Sequence, residues 1–493
     1  MKLSKILAGV DVLGMTADPD MEVRDLCYDS RRTQPGDLFV AIPGIVTDGY
    51  LHIGMAVNMG AAVVLCQCAP AEEIPYVLVE DARLALALVS RNFFENPASA
   101  LVLIGVTGTN GKTTSSILIK HMLESQLGVM VGLIGTNRNM IGDRALDTER
   151  TTPESYDLQR LLREMADAGC SHVVMEVSSH ALALHRVSGL TFAVGIFTNL
   201  TQDHLDYHVT MDGYAEAKAS LFKNCRACAV NLDDDWASTM LEAAAGTALT
   251  YSVERNEAEL MAKDVKLTAV GVRFCALTTG RLERITLGIP GRFSVYNALS
   301  VIACGLLLGL DLCACKAALE TAEGVKGRME LVHSAEDFSI LIDYAHSPDA
   351  LENVLSSLRE LTSGRLVVLF GCGGDRDKAK RPLMGAIAEA YADFVIVSSD
   401  NPRTEDPAAI IEDILAGMKG KRSGRIVIEN RREAIAWAIE NHRPSDLLVL
   451  AGKGHEDYQI IGHEKYPMDE REIVAEALKR LPAVKSTGES GEQ

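Results

Sequence analysis

The chain has no long hydrophobic run, no cysteine framework, no surplus of basic residues and no internal repeat, and each absence excludes a class of protein. Its most apolar stretch, Ala298 to Leu310, is broken by Asp311 after about thirteen residues, short of the roughly twenty that a membrane-spanning helix needs. The segment Met1 to Asp11 carries two lysines, but its apolar run ends too soon for a secretory leader. The 11 cysteines scatter from Cys27 to Cys372 without framework spacing, so reduced, mostly buried thiols in a cytoplasmic protein are expected. Cys225-x-x-Cys228 and Cys313-x-Cys315 have no second pair at zinc-ribbon spacing and read as structural cysteines. Lys and Arg number 48 against 67 Asp and Glu, a net charge of −19. That field repels phosphate at long range and argues against nucleic acid or an anionic membrane as partner, while leaving room for local basic pockets.

What is present fits a large globular protein. Hydrophobic residues make up 47% and charged residues 23% of 493, enough to fill about three cores at roughly 150 residues per domain. Boundaries are expected at the Glu95-Asn96-Pro97-Ala98 break and near Gly324-Val325-Lys326-Gly327-Arg328, giving domains 1–98, 99–330 and 331–493, with a mobile polar tail over 482–493. Asp37 to Ile42 and Ala61 to Cys66 read as strands of the first domain. Leu101 to Val106 is a continuous apolar run of the kind that forms a buried parallel strand, and Val173 to Val177 and Val194 to Phe197 resemble it. Beyond residue 330, strand-like runs at 340–343, 366–370, 394–397, 425–428 and 447–450 are mostly separated by helical patterns, the mark of βαβ units and a doubly wound sheet.

Thr107-Gly108-Thr109-Asn110-Gly111-Lys112-Thr113-Thr114 lies between a predicted strand and a predicted helix. Glycines let backbone amides turn inward around phosphate, and the helix N-terminus adds partial positive charge. Lys112 is placed to reach the β- and γ-phosphates, and the Thr113 hydroxyl to ligate Mg²⁺. Val106 stands where the common loop has its first glycine, so the compact Gly-x-x-Gly-Lys-Thr form is present; the alternative is an ordinary βα turn.

A nucleotide site of this type needs a carboxylate at the end of a neighbouring strand to hold the metal. Glu176 closes its apolar run and is the candidate, against an edge-strand glutamate facing solvent. Asn199 to His208 is dense in ligand-type side chains just after a strand, where sites of parallel sheets gather; a solvated loop is the bland alternative. Lys218 has nothing in its helical context that separates it from a surface lysine.

Together these segments resemble the Mur ligase family of peptidoglycan precursor synthetases. The resemblance is carried by the loop at 107–114, by Met175-Glu176-Val177-Ser178-Ser179-His180-Ala181-Leu182, by Asn199 to His208, and by Asp343-Tyr344-Ala345-His346-Ser347-Pro348-Asp349-Ala350. It runs from Asp29-Ser30-Arg31 to Ala451-Gly452-Lys453-Gly454-His455-Glu456. It implies an α/β fold of three domains, with a central P-loop-type ATPase domain and a Rossmann-like C-terminal domain. The implied activity is amide-bond formation driven by ATP with Mg²⁺, through an acyl phosphate, in cytoplasmic cell-wall synthesis that serves cell shape and division. A monomer acting on small-molecule substrates is expected.

By the same resemblance, Gly108, Thr109, Asn110, Gly111, Lys112, Thr113 and Thr114 hold ATP, and Thr113 and Glu176 share one Mg²⁺. His204 is the implied ligand of a second ion, and Lys218 matches the family's carbamylated lysine. Asn297, Arg328, Asp343 and His346 match nucleotide-proximal positions. Tyr28 and Ser30, with the Ile45-Val46-Thr47 loop, match the uridine end of a UDP-muramoyl substrate; Thr151, Thr152, Ser178 and Arg186 match contacts to its peptide. Arg150 and Leu184 depart from the family pattern, which commonly has Asn and Gln there, and Lys326 replaces a common proline.

Asp400-Asn401-Pro402-Arg403 resembles the motif of family members that add meso-diaminopimelate to UDP-N-acetylmuramoyl-L-alanyl-D-glutamate. Arg376, Gly452 and Glu456 match further contacts to that amino acid, whose side chain ends in an amine and a carboxylate that call for a cation and hydrogen-bonding partners. Taken alone, the tetrapeptide is a common turn and Arg376 a surface charge. A folylpolyglutamate synthetase would share the ATP loop but not Asp29-Ser30-Arg31 together with Asp400-Asn401-Pro402-Arg403, and a nucleotide-gated scaffold would not need Glu176, His204 and Lys218.

Overall fold

The computed structural model describes residues 1–44, 48–148, 150–268, 270–334, 338–420 and 424–481. Ile45, Val46 and Thr47 and the expected tail at 482–493 lie outside the described residues. The chain divides into two compact units, one formed by Met1–Asp264, Phe274–Ile285 and Val295–Ala322, the other by Val265–Arg273, Thr286–Ser294 and Glu323–Gln493.

Three main sheets carry the fold, each with its own hydrophobic core. The first has the order Val12–Met15, Tyr76–Val79, Val63–Cys66, Leu38–Val40, Leu26–Cys27; only Val12–Met15 runs antiparallel to its neighbour. In the eleven-stranded central sheet, Phe192–Phe197, Val102–Thr107, His172–Glu176 and Val131–Ile134 lie side by side and parallel. These strands are buried on both faces, which is why they read as unbroken apolar runs. The third main sheet orders Glu330–Ser334, Phe338–Asp343, Asp446–Ala451, Leu366–Phe370, Phe394–Val397 and Gly424–Val427, antiparallel only at its first pair. The mostly parallel α/β architecture expected from the sequence is therefore present, and strand bounds match to within about two residues.

Register decides what the central sheet presents. Glu176 pairs with Val106, and Phe197 with Thr107, so the glutamate and the segment after Phe197 reach the phosphate loop at the same carboxyl edge. The apolar stretch that was too short to span a membrane is the buried helix Phe293–Leu307, which packs on the loop's own helix, Lys112–Leu127, through Ser115 and Ser300 (Oγ–Oγ 2.8 Å).

In the second unit the largest buried charges are paired. Arg431 donates to Glu470 (2.7 Å) with both side chains fully buried, and its other arm donates to the Ala451 carbonyl (2.8 Å). Removing one partner of such a pair strands a charge in a low dielectric, at a cost of about 3–5 kcal/mol. Arg431→Met should lower stability by that amount in chemical denaturation, and Arg431→Met/Glu470→Leu should recover most of it.

Candidate active site

The phosphate loop is shaped by two glycines and fastened by the next strand's exit. Gly108 has φ 151°, and a Cβ there would lie 1.8 Å from Thr198 Oγ1; Gly111 has φ 84°, and its Cβ would lie 2.6 Å from Asn297 Oδ1. Side chains are therefore excluded where Thr198 and Asn297 press on the turn. Asn110 N donates to Asn199 Oδ1 (2.8 Å), Thr109 N to the Asn199 carbonyl (2.8 Å), and Thr201 N to Thr109 Oγ1 (3.0 Å).

The Gly108 carbonyl accepts from two amines, Lys112 Nζ and Lys218 Nζ, each at 2.8 Å. Lys218 is no surface lysine: it is 1% exposed on the helix Met211–Ala219, with Nζ 4.7 Å from the Tyr214 ring centroid. Burial, reinforced by the Lys112 charge, holds its pKa well below the usual lysine value. His204 belongs to the same group. Its side chain keeps 45% exposure, yet desolvation by the packing around its ring lowers its pKa to about 4 against the pull of Asp203, with His180, Lys112 and Lys218 adding to the fall.

Glu176 forms a second group on the neighbouring strand. It is 1% exposed, so the edge-strand alternative falls. Its carboxylate accepts from Thr113 Oγ1 (3.0 Å), Thr136 Oγ1 (3.0 Å) and Thr136 N (2.9 Å), while Thr136 Oγ1 also meets Thr151 Oγ1 (2.9 Å). Thr113 and Glu176 are thus brought together as expected. No three His, Cys, Asp or Glu side chains form a metal-binding group among the described residues.

Thr152 continues this corner, donating to the Glu176 carbonyl (2.8 Å) and accepting from Ser178 N (3.1 Å); Arg186 Nη1 donates to the Thr152 carbonyl (3.1 Å). Glu154, 4% exposed, gathers Arg83 and Arg186 at 3.3 Å and Arg150 at 3.6 Å. Arg150, the departure from the family pattern, is therefore a third cation at this point. Tyr28 gives its hydroxyl to Asp157, and Ser30 is buried with Oγ 3.5 Å from Met55 Sδ.

In the second unit, Arg328 stacks over Tyr344 (4.7 Å), and Asp343 accepts from Met329 N and Ala345 N (2.8 Å each). Burial raises the Asp343 pKa against the nearby Arg328. His346 is exposed, with Nδ1 2.8 Å from the Tyr344 carbonyl. Asp400 and Asn401 are buried, and Arg403, at φ 50°, donates to the Gly374 carbonyl (2.8 Å). Burial would raise the Asp400 pKa, but Lys453, Arg431 and the Asn401 amide outweigh it and hold it low. Burial and the neighbouring Arg376 lower the Arg403 pKa. Asn401 Nδ2 donates to Glu456 Oε2 (2.9 Å), so the expected amino-acid residues converge.

Sequence reasoning missed Thr136, Glu154, Arg83, Tyr214 and Lys453. The first four carry no motif signal of their own. Lys453 lay inside a recognised motif, and its position between two glycines was the available clue.

Three family models match the chain: the Mur ligase family catalytic domain over residues 22–94, the Mur ligase middle domain over 106–305, and the Mur ligase glutamate ligase domain over 327–454. A UDP-N-acetylmuramoyl-L-alanyl-D-glutamate--2,6-diaminopimelate ligase of Caldanaerobacter subterraneus subsp. tengcongensis is 48% identical, the match covering 97% of this chain and 99% of the relative. One of Clostridium acetobutylicum is 46% identical over 98% and 100%. A solved structure of a ligase of that name superposes with a TM-score of 0.70 at 32% identity, covering 97% of this chain and 99% of the other. The chain belongs to the Mur ligase family.

Proposed function

We propose that the protein joins meso-diaminopimelate to UDP-N-acetylmuramoyl-L-alanyl-D-glutamate at the expense of ATP, acting as a cytoplasmic monomer with domains at 1–98, 99–330 and 331–493. The observation that carries the substrate choice is the pairing of a cation, Arg403, with a carboxylate, Glu456, around Asn401. That pair complements a side chain ending in both a carboxylate and an ammonium; a lysine side chain would leave Arg403 unused.

The reaction proceeds in two steps. A substrate carboxylate oxygen attacks the γ-phosphorus, the β–γ phosphoanhydride breaks, and ADP leaves behind an acyl phosphate. The amine then attacks the carbonyl, loses a proton, and expels phosphate from a tetrahedral intermediate. The loop amides and Lys112 hold the phosphates in line, and Asn297 keeps Gly111 in its turn. The three arginines around Glu154 exceed its charge by two, which favours an anionic peptide beside Thr151, Thr152 and Ser178.

Thr113 and Glu176 supply hard oxygen donors 3.0 Å apart, a set suited to Mg²⁺. When bound, the ion offsets the crowded negative charge of the phosphate oxygens. His204, with its pKa lowered and its side chain still 45% exposed, offers a nitrogen ligand for a second ion beside Lys218. The depressed pKa of Lys218 keeps a neutral amine available to CO₂: a nitrogen–carbon bond forms, one proton leaves, and a carbamate replaces the amine. The exchange turns a buried neutral amine into an oxyanion able to ligate a metal.

A coupled assay of phosphate release against a panel of diamino acids should show turnover with meso-diaminopimelate and little with L-lysine; no release with meso-diaminopimelate refutes the substrate. Lys218→Ala should lower kcat by about 10²–10³-fold without rescue by bicarbonate, and near-wild-type turnover would remove the carbamate role. Arg403→Ala should raise the KM for meso-diaminopimelate by about 10–100-fold and leave that for ATP unchanged; equal effects on both would misplace the pocket.

A further inference from the structure

Lys453 lies at the centre of the amino-acid pocket and belongs to none of the residues assigned to it so far. It is fully buried, so its ammonium cannot touch a ligand. Nζ instead donates to Asn401 Oδ1 (3.0 Å) and Glu456 Oε2 (2.9 Å), the two groups that face the distal end of the amino acid in the reading above.

Those bonds set both partners. Asn401 Oδ1 accepts from Lys453 Nζ and from Ile460 N (2.9 Å). Two donors on one side of the carboxamide force the oxygen toward them and turn Nδ2 to Glu456 Oε2 (2.9 Å). Glu456 Oε2 therefore receives two donors, whereas among the described residues Oε1 has only a long contact with Tyr344 Oη (3.5 Å). The carboxylate is held by one oxygen and presents the other. Asp400, also buried, is kept ionised chiefly by Lys453, so the same ammonium balances a second carboxylate of the pocket. Around it stand the Tyr458 ring (5.7 Å from Nζ) and, through the Ala451 carbonyl, the buried Arg431–Glu470 pair.

We propose that Lys453 is a positioning residue for amino-acid selection: it orients Asn401 and Glu456 so that Glu456 Oε1 meets the distal ammonium of the incoming diamino acid. The proposal rests on the assignment of this pocket to meso-diaminopimelate, and it predicts a selective defect. An acceptor without the distal amine, 2-aminopimelate, makes no use of Glu456 and should depend on Lys453 less, through Asn401 and Asp400 only; a purely structural lysine would affect both amino acids alike.

The test measures kcat/KM for meso-diaminopimelate and for 2-aminopimelate, with the KM for ATP, in wild type and Lys453→Met. Lys453→Met should lose about tenfold or more in the ratio of kcat/KM for meso-diaminopimelate to that for 2-aminopimelate, while the KM for ATP stays within about twofold of wild type. Equal losses on both amino acids, or no loss on either, overturn the proposal. Should circular dichroism show Lys453→Met unfolded, Lys453→Gln keeps a donor for Asn401 but no charge on Glu456 and takes the same measurements; an unchanged ratio of the two amino acids there overturns it equally. Wild type that releases phosphate with 2-aminopimelate but not with meso-diaminopimelate overturns the pocket assignment itself, and Lys453's role with it.

Discussion

Two amines share one acceptor at the heart of the first unit: Lys112 and Lys218 both donate to the carbonyl of Gly108. Like charges held that close in a buried site cannot both persist without a counter-ion, and the consequence falls on Lys218, the more buried of the two. The loop that carries Gly108 is rigid because Thr198, Asn199 and Thr201 fasten its far side. His204, five residues past Asn199, is held neutral in the same electrostatic group. The pre-set cationic cradle and the depressed amine are thus two results of a single hydrogen-bonded turn.

Charge elsewhere follows the same economy of few, placed cations in an acidic chain. The net −19 keeps the bulk surface hostile to polyanions, yet Arg83, Arg150 and Arg186 converge on one carboxylate, and Arg376 lies close enough to help burial lower the Arg403 pKa. Such focused guanidinium groups have a fork geometry that fits carboxylate and phosphate, as the proposed anionic substrate requires. In the second unit the buried cations Arg431 and Lys453 have partners that themselves shape the pocket loops. Their charges hold backbone and side chains in position, work that an apolar core cannot do.

Much of this was legible in the chain. Strands buried on both faces announce themselves as unbroken apolar runs, and the glycine-rich loop and Glu176 stood out because their chemistry and their place after strands coincide, whereas Asp400 to Arg403 stood out only through the family resemblance. Lys218 was different. One face of its helix carries Tyr214 and Lys218 inward, but a lysine between alanines looks the same in sequence whether it faces water or a carbonyl. Thr136 and Glu154 were illegible for a related reason: each acquires its role from a strand or helix far along the chain, and neither sits in a pattern of its own.

Local composition and periodicity by themselves determined the α/β class, the position of the phosphate loop between strand and helix, and the types of side chain available for phosphate, metal and amino acid. These follow from short-range rules: apolar burial, turn geometry and the donor chemistry of each residue. Tertiary structure alone decided which of those side chains meet. The parallel register that pairs Glu176 with Val106 places a carboxylate against Thr113, and the packing of Met211–Ala219 delivers an amine to Gly108. Burial then changes what these groups are, because the cost of a charge depends on the dielectric and the neighbours around it, and neither exists until the chain has folded.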